Sequence, residues 1–166
     1  MPSKLKFAAV FCLGFLLISL WIGHSKALTK LPDVNFTTLK GQTIPSRELR
    51  GKLVLVNFWA TDCPTCLEEI PHLIDLHRQF AQRDLVIIAV AMPYDPPHRV
   101  LSMANSKQLP YAIALDPNED LSKAFGHVQF TPTSFLIDRE GHIILHKIGA
   151  LEPAELLDKL SAEGLN

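Results

Sequence analysis

Two stretches of the chain are apolar almost without interruption, Leu53–Trp59 and Leu85–Met92, and both are rich in residues that favour strands. Runs of this length without alternation predict strands covered on both faces. Between them the period changes. Ile70, Leu73, Ile74, Leu76 and Phe80 recur at helical spacing and predict a helix from about Pro64 to Gln82. Pro71 lies inside it and must remove one backbone bond. The apolar stripe continues past that proline, so one kinked helix is expected rather than two short ones.

The remaining segments are shorter. Val34–Leu39 and Thr43–Ile44 flank Lys40-Gly41-Gln42, a hairpin with glycine at the turn. Ser46 is placed to cap a short helical turn to Leu49, and Gly51 to end it. Tyr94-Asp95-Pro96-Pro97 breaks the second apolar run and starts a helix to about Lys107, with Val100, Leu101 and Ala104 as its apolar positions. Tyr111–Leu115 reads as a short strand, and Asp116–Asp120 as a turn and cap for a helix through Phe125, ended by Gly126. Thr133–Asp138 and His142–Ile148, joined by Arg139-Glu140-Gly141, form a second hairpin. Pro153 opens a last helix, with Leu156, Leu157 and Leu160 on one face. Strands alternating with helices, then a closing hairpin and helix, predict an α/β sandwich around a mixed sheet.

The first 27 residues are a separate unit. Lys4 and Lys6 precede Phe7–Ile22, sixteen residues without a charge; counted on to Ser25, with His24 neutral, the stretch is nineteen. As helix that is about 28 Å, close to the roughly 30 Å of a bilayer core. Ser25-Lys26-Ala27 also fits a signal-peptide cleavage site. An uncleaved anchor through residues 7–22 is the favoured reading, with Lys4 and Lys6 in the cytoplasm, although Lys26 and Lys30 weaken the asymmetry. The alternative is a cleaved leader. Residues 28–166 then form one exported domain in either case. Cys12 behaves as a small hydrophobe of the leader.

Composition narrows the classes. The 166 residues suit one domain, 48% of them are apolar, and the formal charge is −1. With no cluster of lysine and arginine, nothing points to a nucleic-acid partner.

The chemistry lies where the first apolar run meets the helix, at Cys63-Pro64-Thr65-Cys66. A Cys-x-x-Cys at a strand-to-helix junction is the arrangement of a thiol–disulfide redox centre. Unpaired N–H groups and the partial positive charge of a helix start favour a thiolate. Pro64 suits the first helical position, where its missing N–H costs nothing. Cys63 is then the exposed attacking sulfur, and Cys66 the shielded one that resolves a mixed disulfide. A structural zinc would need a second Cys or His pair, and His72 and His77 are five apart, not the spacing of ligands on one face. An exported domain, residues 28–166, with only two, neighbouring cysteines favours a catalytic pair over a disulfide scaffold.

Val56–Cys66, Pro71 five after the second cysteine, and Thr131–Asp138 with Gly141 together resemble the thioredoxin fold. The N-terminal hairpin, an insert at about 90–120 and the apolar leader resemble its membrane-anchored TlpA/ResA-like branch, which includes thiol reductases of cytochrome c maturation. The resemblance covers about residues 32–162. It implies a thioredoxin-like sandwich with a mixed central sheet, an N-terminal β-hairpin and a central insert. It implies that Cys63 is the nucleophile, Cys66 the resolving cysteine, and the two a redox disulfide. Trp59 matches the aromatic beneath the active site and is grouped with Thr131 and Pro132 as substrate-binding. Pro132 matches the cis-proline that docks a partner's backbone. Ordinary thioredoxins carry an Asp where this chain has Asn57; in the TlpA/ResA branch a Glu three after the second cysteine serves instead, here Glu69. That acid would take the proton of Cys66, and Glu68 is its exposed neighbour.

Two positions depart from the pattern. Asp62 stands where a Trp is common, and a negative charge there opposes the thiolate, weakly if it is exposed. Pro64-Thr65 replaces Gly-Pro and is similar to the Cys-Pro-Thr-Cys of cytochrome c maturation reductases. The expected activity is reduction of disulfide-bearing protein substrates, with a membrane thiol electron donor restoring the dithiol. No cofactor and no metal are expected, and the location is the inner membrane facing the periplasm, or the periplasm itself if the leader is cleaved. The rivals are a disulfide donor and a copper-delivery protein using Cys63, Cys66 and His127.

Overall fold

The computed structural model describes residues 29–165. The expectations for the leader, residues 1–27, lie outside the described residues. Among the described residues, no helix is long and apolar enough to cross a membrane.

The first strands among the described residues are a small antiparallel pair, β1 (Asn35–Thr37) and β2 (Thr43–Pro45). A 3-10 turn follows at Ser46–Leu49. Ser46 does not cap it: its hydroxyl accepts the Val34 N–H at 3.1 Å and ties the turn to the residue just ahead of β1. Then come β3 (Leu53–Trp59), α1 (Pro64–Phe80), β4 (Leu85–Ala91), α2 (Pro97–Ser106), β5 (Ala112–Leu115), α3 (Asp120–Ala124), β6 (Thr133–Ile137), β7 (Ile143–Ile148) and α4 (Pro153–Ala162). The main sheet has the order β5-β4-β3-β6-β7. Its β3 runs parallel to β4 and antiparallel to β6, so the sheet is mixed, as expected.

Each apolar run is where its pattern placed it. All seven residues of β3 are buried, because the strand is central and has helices on both sides. One face packs Leu53, Leu55 and Trp59 against Ile70, Leu73, Leu76 and Phe80 of α1 and Leu156 and Leu160 of α4. The other packs Val54, Val56 and Phe58 against Phe36, Leu121, Phe125 and Phe135. Helix α1 runs through Pro71, which lies on its exposed side where the lost bond is easiest to tolerate. Asp116 caps α3 from a distance: its carboxylate accepts the N–H groups of Leu121 and Ser122 at 2.9 and 2.8 Å.

Two apolar positions differ from expectation. Leu101 is 47% and Leu157 41% exposed, because each helix presents a narrower stripe to the sheet than its leucines suggested. In α2 the core contact comes from Val100, with Met103 and Ala104 partly covered.

Candidate functional site

Strand β3 delivers the chain to the top of the sheet, and a tight turn carries it into α1. The Cys63 N–H donates to the Ala60 carbonyl at 3.3 Å, and the Leu67 N–H reaches the Cys63 carbonyl at 3.1 Å. Cys63 is thus the N-cap of α1, with Pro64 at the first helical position. Cys63 and Cys66 are joined as a disulfide with Cα atoms 5.2 Å apart. Cys63 Sγ also accepts the Cys66 N–H at 3.2 Å, as a capping side chain does. Cys66 is 3% exposed, whereas Cys63 is half-buried, so only one sulfur is open to a partner.

Three residues after Cys66, one helical turn turns Glu69 inward. It is 7% exposed, while Glu68 faces solvent. Glu69 Oε1 accepts the Leu151 N–H at 2.5 Å, and Oε2 the Asn57 side-chain N–H at 3.4 Å. Asn57 Nδ2 also donates to Ser134 Oγ at 2.9 Å, linking β3 and β6 beneath the disulfide. Burial pushes the Glu69 carboxyl above its ordinary value near 4.5. The Leu151 N–H, the Asn57 amide and the charge of His72 pull it back, by less. The charge reaches inward as well: the buried Tyr111 hydroxyl is pushed up, first by burial and then by the Glu69 carboxylate. A recess of about 160 Å³ between α1 and α4 opens onto Glu69, walled largely by leucines.

The other expected residues surround this centre in different ways. The Thr131–Pro132 bond is cis, as the resemblance implied. Its loop is held by Thr133 Oγ1 donating to the Phe130 carbonyl at 2.7 Å and by the Gly149 N–H donating to the Pro132 carbonyl at 2.8 Å. Trp59 is 3% exposed and packs in the same core cluster as Cys66. It is covered on that face of β3 by α1 and packs with Cys66 rather than at the surface. His127 is exposed. Among the described residues, no three His, Cys, Asp or Glu side chains are grouped to hold a metal ion.

Sequence reasoning missed three participants. Ser134 and the Leu151 backbone complete the surroundings of Glu69, and neither has a local signature. The third is Asp95, 5% exposed, whose Oδ2 accepts the Thr61 N–H at 2.6 Å and Oδ1 the Thr61 hydroxyl at 2.8 Å. An acid inside a Tyr-Asp-Pro-Pro loop signals a turn, and nothing in the chain's local pattern says where its carboxylate goes.

Comparison with known proteins agrees with this geometry. A redoxin family model matches residues 26–162. The thiol–disulfide oxidoreductase ResA of Bacillus anthracis is 32% identical over 118 residues, 71% of this chain and 67% of that protein. The ResA of Halalkalibacterium halodurans is 34% identical over 120 residues, with the same coverage. The chain thus spans about two thirds of the length of these relatives. A crystal structure of a thiol:disulfide interchange protein of the thioredoxin family from Chlorobium tepidum superposes with a TM-score of 0.73 at 26% identity, covering 86% of this chain and all of that one. A disulfide closed across the mouth of a helix, in a fold and a sequence shared with these enzymes, makes the chain a member of the redoxin family, a thiol–disulfide oxidoreductase of the TlpA/ResA-like kind.

Proposed function

We propose that this oxidoreductase works outside the cytosol as a reductase of protein disulfides, on the pattern of the thiol reductases of cytochrome c maturation. The observation that carries the reading is the pairing of a half-exposed Cys63 with a shielded Cys66 that has a buried, proton-hungry acid one turn away. In the dithiol form, the Cys63 thiolate attacks one sulfur of a substrate disulfide. A Cys63–substrate bond forms, and the other substrate sulfur leaves as a thiolate. Cys66 gives its proton to Glu69 and attacks Cys63, releasing the second substrate thiolate and closing the Cys63–Cys66 bond. Two electrons have passed to the substrate, and the state with the disulfide closed is the oxidised end of the cycle. The Thr131–Pro132 loop supplies main-chain groups for the visiting segment.

A membrane dithiol restores the reduced form, and residues 7–22 hold the domain at the inner membrane on its periplasmic side. What supports this is the uncharged leader behind two lysines, together with the absence of other cysteines from residues 28–166. The test is partner trapping in intact cells. Cys66→Ser should accumulate mixed disulfides with its substrates, and Cys63→Ser should trap none and lose insulin reduction. Full activity in Cys63→Ser would overturn the mechanism. A potential near that of strong oxidants would favour the disulfide-donor reading.

A further inference from the structure

Asp95 is a second buried carboxylate, bonded to the turn two residues before Cys63, and the cycle above gives it no part. Its two bonds to Thr61 grip the turn that leads into Cys63, two residues ahead of the exposed sulfur. Both of its oxygens are held by Thr61, one by the backbone N–H and one by the hydroxyl. An anion beside a thiol opposes its thiolate. Stabilising the reduced form is what makes a dithiol pair a strong oxidant. A fixed anion acts in the opposite sense, favouring the closed disulfide and making the dithiol a better electron donor.

Burial decides how strongly. Asp62 is nearer in sequence but exposed, and water and salt weaken its field. Asp95 is covered, and its field is screened far less. Other charged groups about this corner are Glu119, Lys123 and His127, which line a recess with Met92 and Tyr94, Glu69 one turn after Cys66, and His98 and Arg99 at the start of α2. These last two are exposed and line, with Thr61, a surface recess of about 300 Å³. The start of α1 pulls towards the thiolate, so the pair's potential is a balance between that helix and the Asp95 charge.

We propose that Asp95 is a positioning residue which, through its bonds to Thr61, holds a buried negative charge against the turn that leads into Cys63 and keeps the disulfide pair on the reducing side. The proposal rests on the reductase reading above, and it names the group that sets the direction of electron flow.

The test is the reduction potential of purified protein, by equilibration with glutathione buffers, together with the Cys63 thiol pKa read from thiolate absorbance. Asp95→Asn should shift the equilibrium towards the dithiol about fivefold, about 20 mV for a two-electron couple, and lower the Cys63 pKa. Asp62→Asn should shift both by less. Thr61→Val keeps the charge and removes one of its donors, so it should move both quantities the other way or leave them unchanged, with Thr61→Ser behaving as wild type. An unchanged potential in Asp95→Asn, or an equal shift in Asp62→Asn, overturns the proposal. So does a shift of Thr61→Val in the direction of Asp95→Asn, which would mean that a loosened turn is responsible. If Asp95→Asn does not fold, the Thr61 pair decides by the same sign. Insulin reduction by the wild-type protein tests the reductase reading separately, and its failure would leave these shifts interpretable.

Discussion

The backbone N–H of Leu151 donates to Glu69 Oε1 at 2.5 Å, across 82 residues of sequence. The bond ties the loop before α4 to the redox helix. It also leaves the carboxylate one good backbone partner and one long side-chain partner at a recess walled largely by leucines. That is enough to hold the acid in place and too little to offset its burial, which is why its proton is held unusually tightly.

Replacing Glu69 by Gln keeps the shape and removes the base. Resolution of the mixed disulfide should slow by about a hundredfold near neutral pH, the low end of the usual range for a positioned acid–base group. The check is stopped-flow turnover of a small disulfide. The wild-type rate should rise with pH through the raised Glu69 pKa, and the variant should lack that step. An identical profile in the two proteins would remove Glu69 from the cycle.

The same shift carries a stability signature. The folded Glu69 carboxyl binds its proton more tightly than the unfolded one, so folding is favoured while both are protonated. That contribution is lost as pH rises from the ordinary value near 4.5 through the raised folded value. Wild type should therefore lose stability relative to Glu69→Gln on going from pH 4 to pH 8. Urea unfolding across that range measures it, and the opposite slope would contradict the burial account.

Asn57→Asp would set a second carboxylate against Glu69 Oε2, where the amide now lies at 3.4 Å. Two carboxylates this close share one proton and titrate as a pair. The variant should be about 1–3 kcal/mol less stable than wild type at pH 8 and recover much of that at pH 5. Its pH–rate profile should move upward. Equal urea midpoints for the two proteins at pH 8 would show that the acids do not meet.

Phe125 tests the scaffold independently of the chemistry. It is 2% exposed, and its ring centroid lies 5.4 Å from Phe58 and 5.1 Å from Phe135. Phe125→Ala should cost about 3–5 kcal/mol, a fall in Tm on the order of 10–20 °C. The reduction potential should not move, because this cluster lies on the sheet face opposite Cys66. Calorimetry and glutathione equilibration of the same sample check both halves.

What the sequence made legible was the local part. Strand β3 and helix α1 were readable because burial on both faces and helical spacing leave their mark within a dozen residues, and the cysteines sit at the change of period. Glu69 was readable only through resemblance, since one turn of helix places it near Cys66 but cannot say whether it points in or out. Ser134, Leu151 and Asp95 were not readable. Each meets the site by a contact 34 to 82 residues long, and such closures leave no periodic trace. Leu157 and Ser46 were misjudged for a related reason. A leucine stripe does not give the width of the groove it enters, and a serine before a turn has more than one amide within reach.

Strand β3 has a partner along each side and no exposed residue. Its amides should exchange with deuterated solvent only when the whole domain opens, and so report the global unfolding free energy. Cys63 follows four residues after the end of this fully buried strand. In an encounter with a substrate, the stationary side is this strand, and any adjustment of fit falls to the loops around it and to the visitor.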